Sequence, residues 1–198
     1  MTTTHQGSEP AMADLVYLVH TSLDGCIEGP AGEFDWPQMG PELSDYANDL
    51  SKRAGVFAYG RRVWELMSSY WPDVESISTH PHDLAFAPIW REKPKLVFSR
   101  TLSSADWNTT VANGDLTEEV AKHKATTNGD IVLMGGYALA AELGRRGLID
   151  EYQVCIHPVI LGGDKRPFAE GTTRAQLQLV ETRTLDNTVA LLRHHTKR

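Results

Sequence analysis

Residues 131–143 read IVLMGGYALAAEL, an apolar run Ile131-Val132-Leu133-Met134, a pair Gly135-Gly136, and a helix-forming segment from Tyr137 to Leu143. A short, wholly apolar run ending in glycine suits a strand buried on both faces. Two adjacent glycines let the chain turn sharply and let a ligand approach the backbone with no Cβ in the way. The helix that follows aims its free N–H groups and the positive end of its dipole at whatever lies over the glycines. Phosphate is the usual occupant of such a place. A tight turn without a ligand has the same local sequence, so the pattern has to recur before it decides anything.

It recurs twice upstream. Gly55–Tyr59 (GVFAY) reads as a strand that stops at Gly60-Arg61-Arg62, and Val63-Trp64-Glu65-Leu66-Met67 starts a helix. Cations at a helix start oppose the dipole, by a few tenths of a kcal/mol (order of magnitude). A bound anion is the better explanation for the pair. Lys95–Ser99 (KLVFS) is a further strand with the basic exit Ser99-Arg100-Thr101.

Around these stretches, Ala13–Thr21 (ADLVYLVHT) reads as the first and central strand, closed by the turn Ser22-Leu23-Asp24-Gly25. Residues 28–41 form a Gly/Pro-rich loop carrying Asp35-Trp36. Pro41–Ala54 reads as an amphipathic helix with Leu43, Tyr46, Ala47 and Leu50 on one face. Ser68–Pro94 reads as a long surface excursion with modest helical character near Leu84–Trp90, in which His80 and His82 are solvated loop residues. Asn113–Lys124 reads as a helix. Tyr152–Ile156 reads as a strand, Pro158–Gly163 as an apolar bend, and Leu177–Val180 with Val189–Leu192 as an antiparallel pair at a sheet edge. Alternating strands and helices followed by late strands predict a mixed sheet with helices on both faces.

Composition narrows the function classes. The chain has 198 residues, net charge −7 and two cysteines, Cys26 and Cys155. That length fits one domain, burying about 70% of the surface exposed by the unfolded chain. A negative charge and a pI near 5.6 give no electrostatic case for nucleic acid or an anionic membrane. No apolar stretch reaches the ~20 residues that span a bilayer. Two cysteines without metal-ligand spacing fit a reducing cytoplasm. Residues 1–12 read as a disordered tail and 13–198 as the domain.

Three strand ends thus carry Gly60, Arg61, Arg62 and Val63; Ser99 and Arg100; and Met134, Gly135, Gly136, Tyr137, Ala138 and Leu139. In an open α/β sheet those ends line the nucleotide crevice. Two helix N-termini suit a pyrophosphate, and the arginines suit a third phosphate or an adenine face. NADPH fits this inventory. Neither G-x-G-x-x-G nor a P-loop motif is present.

The motifs Ser22-Leu23-Asp24-Gly25, Gly60-Arg61-Arg62-Val63-Trp64-Glu65, Val97-Phe98-Ser99-Arg100, Met134-Gly135-Gly136 and Gly147-Leu148-Ile149-Asp150-Glu151, the last followed by Pro158-Val159-Ile160-Leu161-Gly162, occur in this order. Together they resemble the dihydrofolate reductase superfamily, in the branch of the reductase domain of the bifunctional riboflavin-biosynthesis deaminase/reductase. The resemblance implies an α/β, three-layer sandwich with a mixed, mostly parallel sheet, helices on both faces and antiparallel C-terminal strands. It implies NADPH across the strand ends, a homodimer, and room for a cis Gly135-Gly136 peptide. No H-x-E with P-C-x-x-C occurs, so the zinc deaminase partner domain is absent from this sequence. The chain departs from the riboflavin enzymes at two places. Cys26 and Ile27 stand where a basic residue usually follows S-x-D-G, and the next helix offers only Lys52 and Arg53, at its far end.

The activity so implied is hydride transfer from NADPH to a pyrimidine-, pterin- or ribosylamine-like small molecule. Gly25 to Ile27 would meet the nicotinamide carboxamide, and Asp24 would orient substrate or relay a proton. An Asx-turn role for Asp24 stands beside that reading. Asp45 and Trp36 are candidate substrate contacts; Trp64 and Tyr137 are candidate pocket walls. The alternative is a protein that binds NADP(H) without turnover.

Overall fold

The computed structural model describes residues 12–168 and 173–197. Most of the tail read at residues 1–12 therefore lies outside the described residues. The strands are β1 (Leu15–Ser22), β2 (Ala54–Gly60), β3 (Lys95–Phe98), β4 (Thr109–Ala112), β5 (Asp130–Met134), β6 (Glu151–His157), β7 (Leu177–Leu185) and β8 (Val189–Thr196). The helices are α1 (Pro41–Arg53), α2 (Arg61–Tyr70), α3 (Pro81–Glu92), α4 (Leu116–Thr126) and α5 (Tyr137–Arg145).

The strands form one sheet in the order β4-β3-β2-β5-β1-β6-β8-β7. The first six are mutually parallel; β8 runs antiparallel to both β6 and β7. Parallel pairing needs crossovers, so helices cover both faces and the central strands have no polar face. In β1 this makes Leu15, Val16, Tyr17, Leu18 and Val19 all buried. Val16 and Leu18 join Phe57, Tyr59, Val132 and Leu191 on one face, while Leu15, Tyr17 and Val19 join Ala58, Leu133 and Ile149 on the other.

The C-terminal hairpin is fastened to α1. Asp186 and Asn187 both have φ of 54°, and Thr188 N–H donates to the Leu185 carbonyl at 3.0 Å. This is the type I′ geometry that matches strand twist. The Asp186 carboxylate then accepts the N–H groups of Glu42 (2.8 Å) and Leu43 (3.0 Å), capping a helix that begins with Pro41 and has no side-chain cap from its own N-cap residue, Gly40.

Two parts of the sequence reading need correction. The stretch 68–94 is not a surface loop: a 3₁₀ segment, Trp71–Ser76, and the helix α3 place Trp71, Val74, Phe86, Ala87 and Trp90 in the core. Pro81 sits in the first turn, where its missing N–H costs nothing, and Pro88 lies on the solvent side. His82 is buried rather than solvated, bonded to Ser44 Oγ at 2.9 Å and stacked on Phe86; His80 caps α3. The second correction is β4, a four-residue edge strand too short to show a pattern. Helix α4 accordingly starts later than residue 113, with Asp115 as its N-cap.

Trp90 ties this segment to the sheet. It is fully buried, its Nε1–H donates to Tyr59 Oη at 3.1 Å, and the buried Lys95 ammonium lies 4.2 Å from its ring centre. Replacing Trp90 by Ala is expected to cost about 3–5 kcal/mol in urea unfolding, the range for a large aromatic lost from a core. A loss below about 1 kcal/mol would return residues 68–94 to the status of a loop.

Candidate cofactor and substrate site

Because β1, β2, β3 and β5 are parallel, their carboxyl ends share one edge. Leu18 pairs with Met134, and Gly60 pairs with Phe98. Helix α2 starts directly from β2, and α5 starts two residues after β5. Gly135 and Gly136 have φ of 63° and 75°, which only glycine adopts without strain. A Cβ on Gly136 would lie 3.9 Å from the Gly60 nitrogen, so the two helix starts stand side by side.

These two helix starts differ from the others. Helix α1 is capped by Asp186, α3 by His80 and α4 by Asp115. Helices α2 and α5 have glycine N-caps, no side-chain cap bond and no acidic residue in the first turn. Their leading N–H groups and dipoles are uncompensated by side chains at the same spot, where two like dipole ends repel. An anion removes both costs. A Cβ on Gly135 would meet nothing within 4 Å, which leaves open space above the turn.

Arginines stand at the exits of β2 and β3. Arg61 pairs with Glu65 at 3.1 Å on the surface. Arg62 and Arg100 are exposed and make no side-chain hydrogen bond or ion pair among the described residues. Ser99 is spent locally: its Oγ accepts the N–H groups of Thr101 and Leu102. Val63 packs partly on the core, as Leu139 does on the opposite face.

At the end of β1, Asp24 fastens two loops together. Its carboxylate accepts from Ser22 Oγ (2.5 Å), Leu161 N–H (3.1 Å), Gly162 N–H (2.9 Å) and, weakly, Cys26 Sγ (3.4 Å). These bonds, that from Ser22 foremost, hold its carboxyl well below the usual carboxylate range. The geometry makes Asp24 the residue that positions the 22–26 turn.

Beyond β1, two histidines that sequence reasoning passed over meet across the sheet. His20 Nδ1 and His157 Nε2 lie 2.8 Å apart, on strands whose register pairs Ser22 with His157. Burial, with mutual repulsion for His20, lowers the two to about 3 and about 4. Trp36 packs edge-on against His157, with ring centres 5.4 Å apart, and Phe34 packs on Trp36. The loop read from residue 28 onward thus does lie over the strand ends. Asp45 stands exposed on α1 and joins none of these bonds. The signal for the histidines was a polar residue, His20, closing an apolar strand; its partner is 137 positions away.

A family model described as the RibD C-terminal domain matches residues 14–191. The chain belongs to the RibD C-terminal domain family. A curated relative, the uncharacterized protein YyaP of Bacillus subtilis (strain 168), is 35% identical over 179 residues, 88% of this chain and 90% of that protein. A putative riboflavin biosynthesis protein from Shewanella sp. PV-4 superposes with a TM-score of 0.73 at 20% identity, covering 93% of this chain and 99% of that one. Dihydrofolate reductase from Enterococcus faecalis, complexed with NADP(H), gives 0.63 at 16% identity over 93% and 97% of the two chains. A pyrimidine reductase-like protein from Corynebacterium diphtheriae gives 0.64 at 15% over 94% and 92%. The fold is that of a dihydrofolate reductase-like sandwich.

Set beside the expectations of the RibD-type family, two local features differ. The Gly135-Gly136 peptide is trans, as are all peptides among the described residues; the turn is made by two positive φ angles instead. And where the riboflavin enzymes place a basic residue after S-x-D-G, Arg166 brings one from a distant loop. Its Nη1 donates to the Asp24 carbonyl and lies 3.0 Å from Cys26 Sγ. Gly25 turns with φ of 77°, and Ile27 N–H is bonded to the Lys165 carbonyl at 3.0 Å.

The histidine pair makes folding acid-sensitive in a defined window. Both folded-state pKa values lie below the usual 6.5, so the unfolded chain binds more protons between them. Stability is therefore complete above about pH 6.5 and falls as pH drops towards 4, with a limiting slope of about 2.7 kcal/mol per pH unit for two protons. Urea unfolding between pH 7 and 4 should show a shallower slope for the His20→Gln, His157→Gln double variant. Identical slopes would mean that the histidines charge freely in the folded protein.

Proposed function

We propose that the protein is an NADPH-dependent reductase that delivers hydride to the carbon of a carbon–nitrogen or carbon–oxygen double bond of a pyrimidine-, pterin- or ribosylamine-like small molecule, the nitrogen or oxygen taking its proton from water. The observation that carries this reading is the pair of adjacent, uncapped helix N-termini at Gly60 and Gly136, flanked by unpaired arginines. The dinucleotide supplies the hydride when bound, and everything else is done by the chain.

The leading amides of α2 and α5 hold the pyrophosphate, at a distance where oriented N–H groups and dipoles act together. Arg62 and Arg100 take the remaining phosphate of the adenosine half, a role for which a fork of donors suits three anionic oxygens. The open space above Gly135 admits the backbone-hugging part of the cofactor. The 22–26 turn, held by Asp24 and Arg166, presents its backbone beside β1 to the nicotinamide end. Trp36 and Phe34 cover the adjoining strand ends and exclude water from the reacting faces. The family membership and the NADP(H) complex of the Enterococcus dihydrofolate reductase support the same assignment.

Quenching of tryptophan fluorescence on titration with NADPH and NADH, at fixed salt, tests it. NADPH should bind at least about tenfold more tightly than NADH, as one charge-assisted phosphate contact is worth about 1.5–3 kcal/mol. The Arg62→Ala, Arg100→Ala double variant should bind the two cofactors about equally. Equal binding by the unaltered protein would remove the arginines from the site; no binding of either would remove the reductase.

A further inference from the structure

We propose that Trp36 Nε1 and His157 Nδ1 are a recognition pair for the lactam edge, –NH–CO–, of an uncharged planar heterocycle. The proposal rests on the reductase reading for its setting and goes beyond it by assigning the atoms that select the substrate.

Both atoms are buried polar atoms without a hydrogen-bond partner, and only five such side-chain atoms occur among the described residues. Two of the others, Glu119 Oε2 and His123 Nε2, face each other at 3.8 Å on α4, and Asn48 Oδ1 is on α1. Trp36 and His157 belong to rings in contact at the carboxyl ends of β1 and β6. His157 is 1% exposed. A buried polar atom with no partner is destabilising and rare, and a functional site is one of the few places where it persists. Two on touching rings make an unsatisfied polar pair.

The chemistry of the pair sets what can satisfy it. Trp36 Nε1 is a donor only. His157 is neutral near pH 7, because burial keeps its pKa low. One proton lies between His20 Nδ1 and His157 Nε2; when His157 Nε2 carries it, His157 Nδ1 is a bare acceptor. The site then shows one donor and one acceptor on neighbouring rings, and a lactam shows the complementary acceptor and donor on neighbouring atoms. In that tautomer His20 Nδ1 accepts the proton of His157 Nε2, which makes His20 its positioning residue. No charge is offered, which disfavours an ionised ligand edge at this spot.

The surroundings suit a flat ring. Phe34, 62% exposed, stands on Trp36, and Leu23 and Ile160 are exposed apolar residues on the two loops that Asp24 joins. Apolar side chains with a few placed polar groups are the composition of a small-molecule pocket. The carboxyl ends of β2, β3 and β5, where the cofactor is assigned, lie on the same edge of the sheet.

Uracil is the probe, with 1,3-dimethyluracil as its control: the same neutral ring without the N–H groups. Each would be titrated into ¹⁵N-labelled full-length protein, with and without saturating NADP⁺. The Trp36 indole signal is identified by its loss in Trp36→Phe. Uracil should shift that signal and the His157 ring nitrogens, and bind about tenfold more tightly than dimethyluracil. Trp36→Phe should weaken uracil about tenfold and leave NADP⁺ affinity unchanged. Uracil that leaves both signals unmoved up to its solubility limit, or dimethyluracil binding as well as uracil, would overturn the pair assignment. If NADP⁺ binds in that same sample, the reductase reading stands without it; if NADP⁺ also fails to bind, the wider reading falls as well.

Discussion

The left-handed turn at Gly135-Gly136 is the constraint on which the site depends. Positive φ at two successive residues lets α5 leave β5 with its first turn beside that of α2. A side chain at either position would be strained by the positive φ. Two like-oriented dipole ends in contact are unfavourable unless something negative lies between them. The protein leaves both without a side-chain cap while capping α1, α3 and α4 with Asp186, His80 and Asp115. Stability is given up at one place in a chain that secures it elsewhere, and the place is the one where a phosphate would restore it.

The parallel sheet converts this local choice into a cleft. Strands β3, β2, β5 and β1 end on one edge, so their exits (Arg100, Arg62, Gly135 and the 22–26 turn) become neighbours although they are spread over more than 110 positions of sequence. Asp24 completes the arrangement by tying the exit of β1 to the loop after β6. Its low pKa is a consequence of those bonds.

The three strand ends and the two glycine-led helix starts were legible in the sequence, because backbone and charge carry them. Glycines mark turns, apolar runs mark buried strands, and arginines at helix starts need an anion to explain them. The antiparallel closing hairpin was legible for similar reasons, though Asp186's reach to the start of α1 was not. Residues 68–94 were misread because Pro81, Pro88 and two histidines mask an amphipathic helix whose buried face is carried by Phe86, Ala87 and Trp90. The ring cluster at the ends of β1 and β6 was barely legible. His20 and His157 become informative only when the sheet registers β1 on β6, and the contact of Trp36 with His157 only when the 28–41 loop folds over the strand ends. Long-range pairing of polar side chains leaves no periodic trace.

A crystal structure of the NADP⁺ complex is the direct test. The pyrophosphate should lie between the first turns of α2 and α5, its oxygens within hydrogen-bond distance of main-chain N–H groups of residues 61–63 and 136–138. A dinucleotide whose pyrophosphate lies away from both helix starts would contradict it, and the uncapped N-termini would then need another explanation.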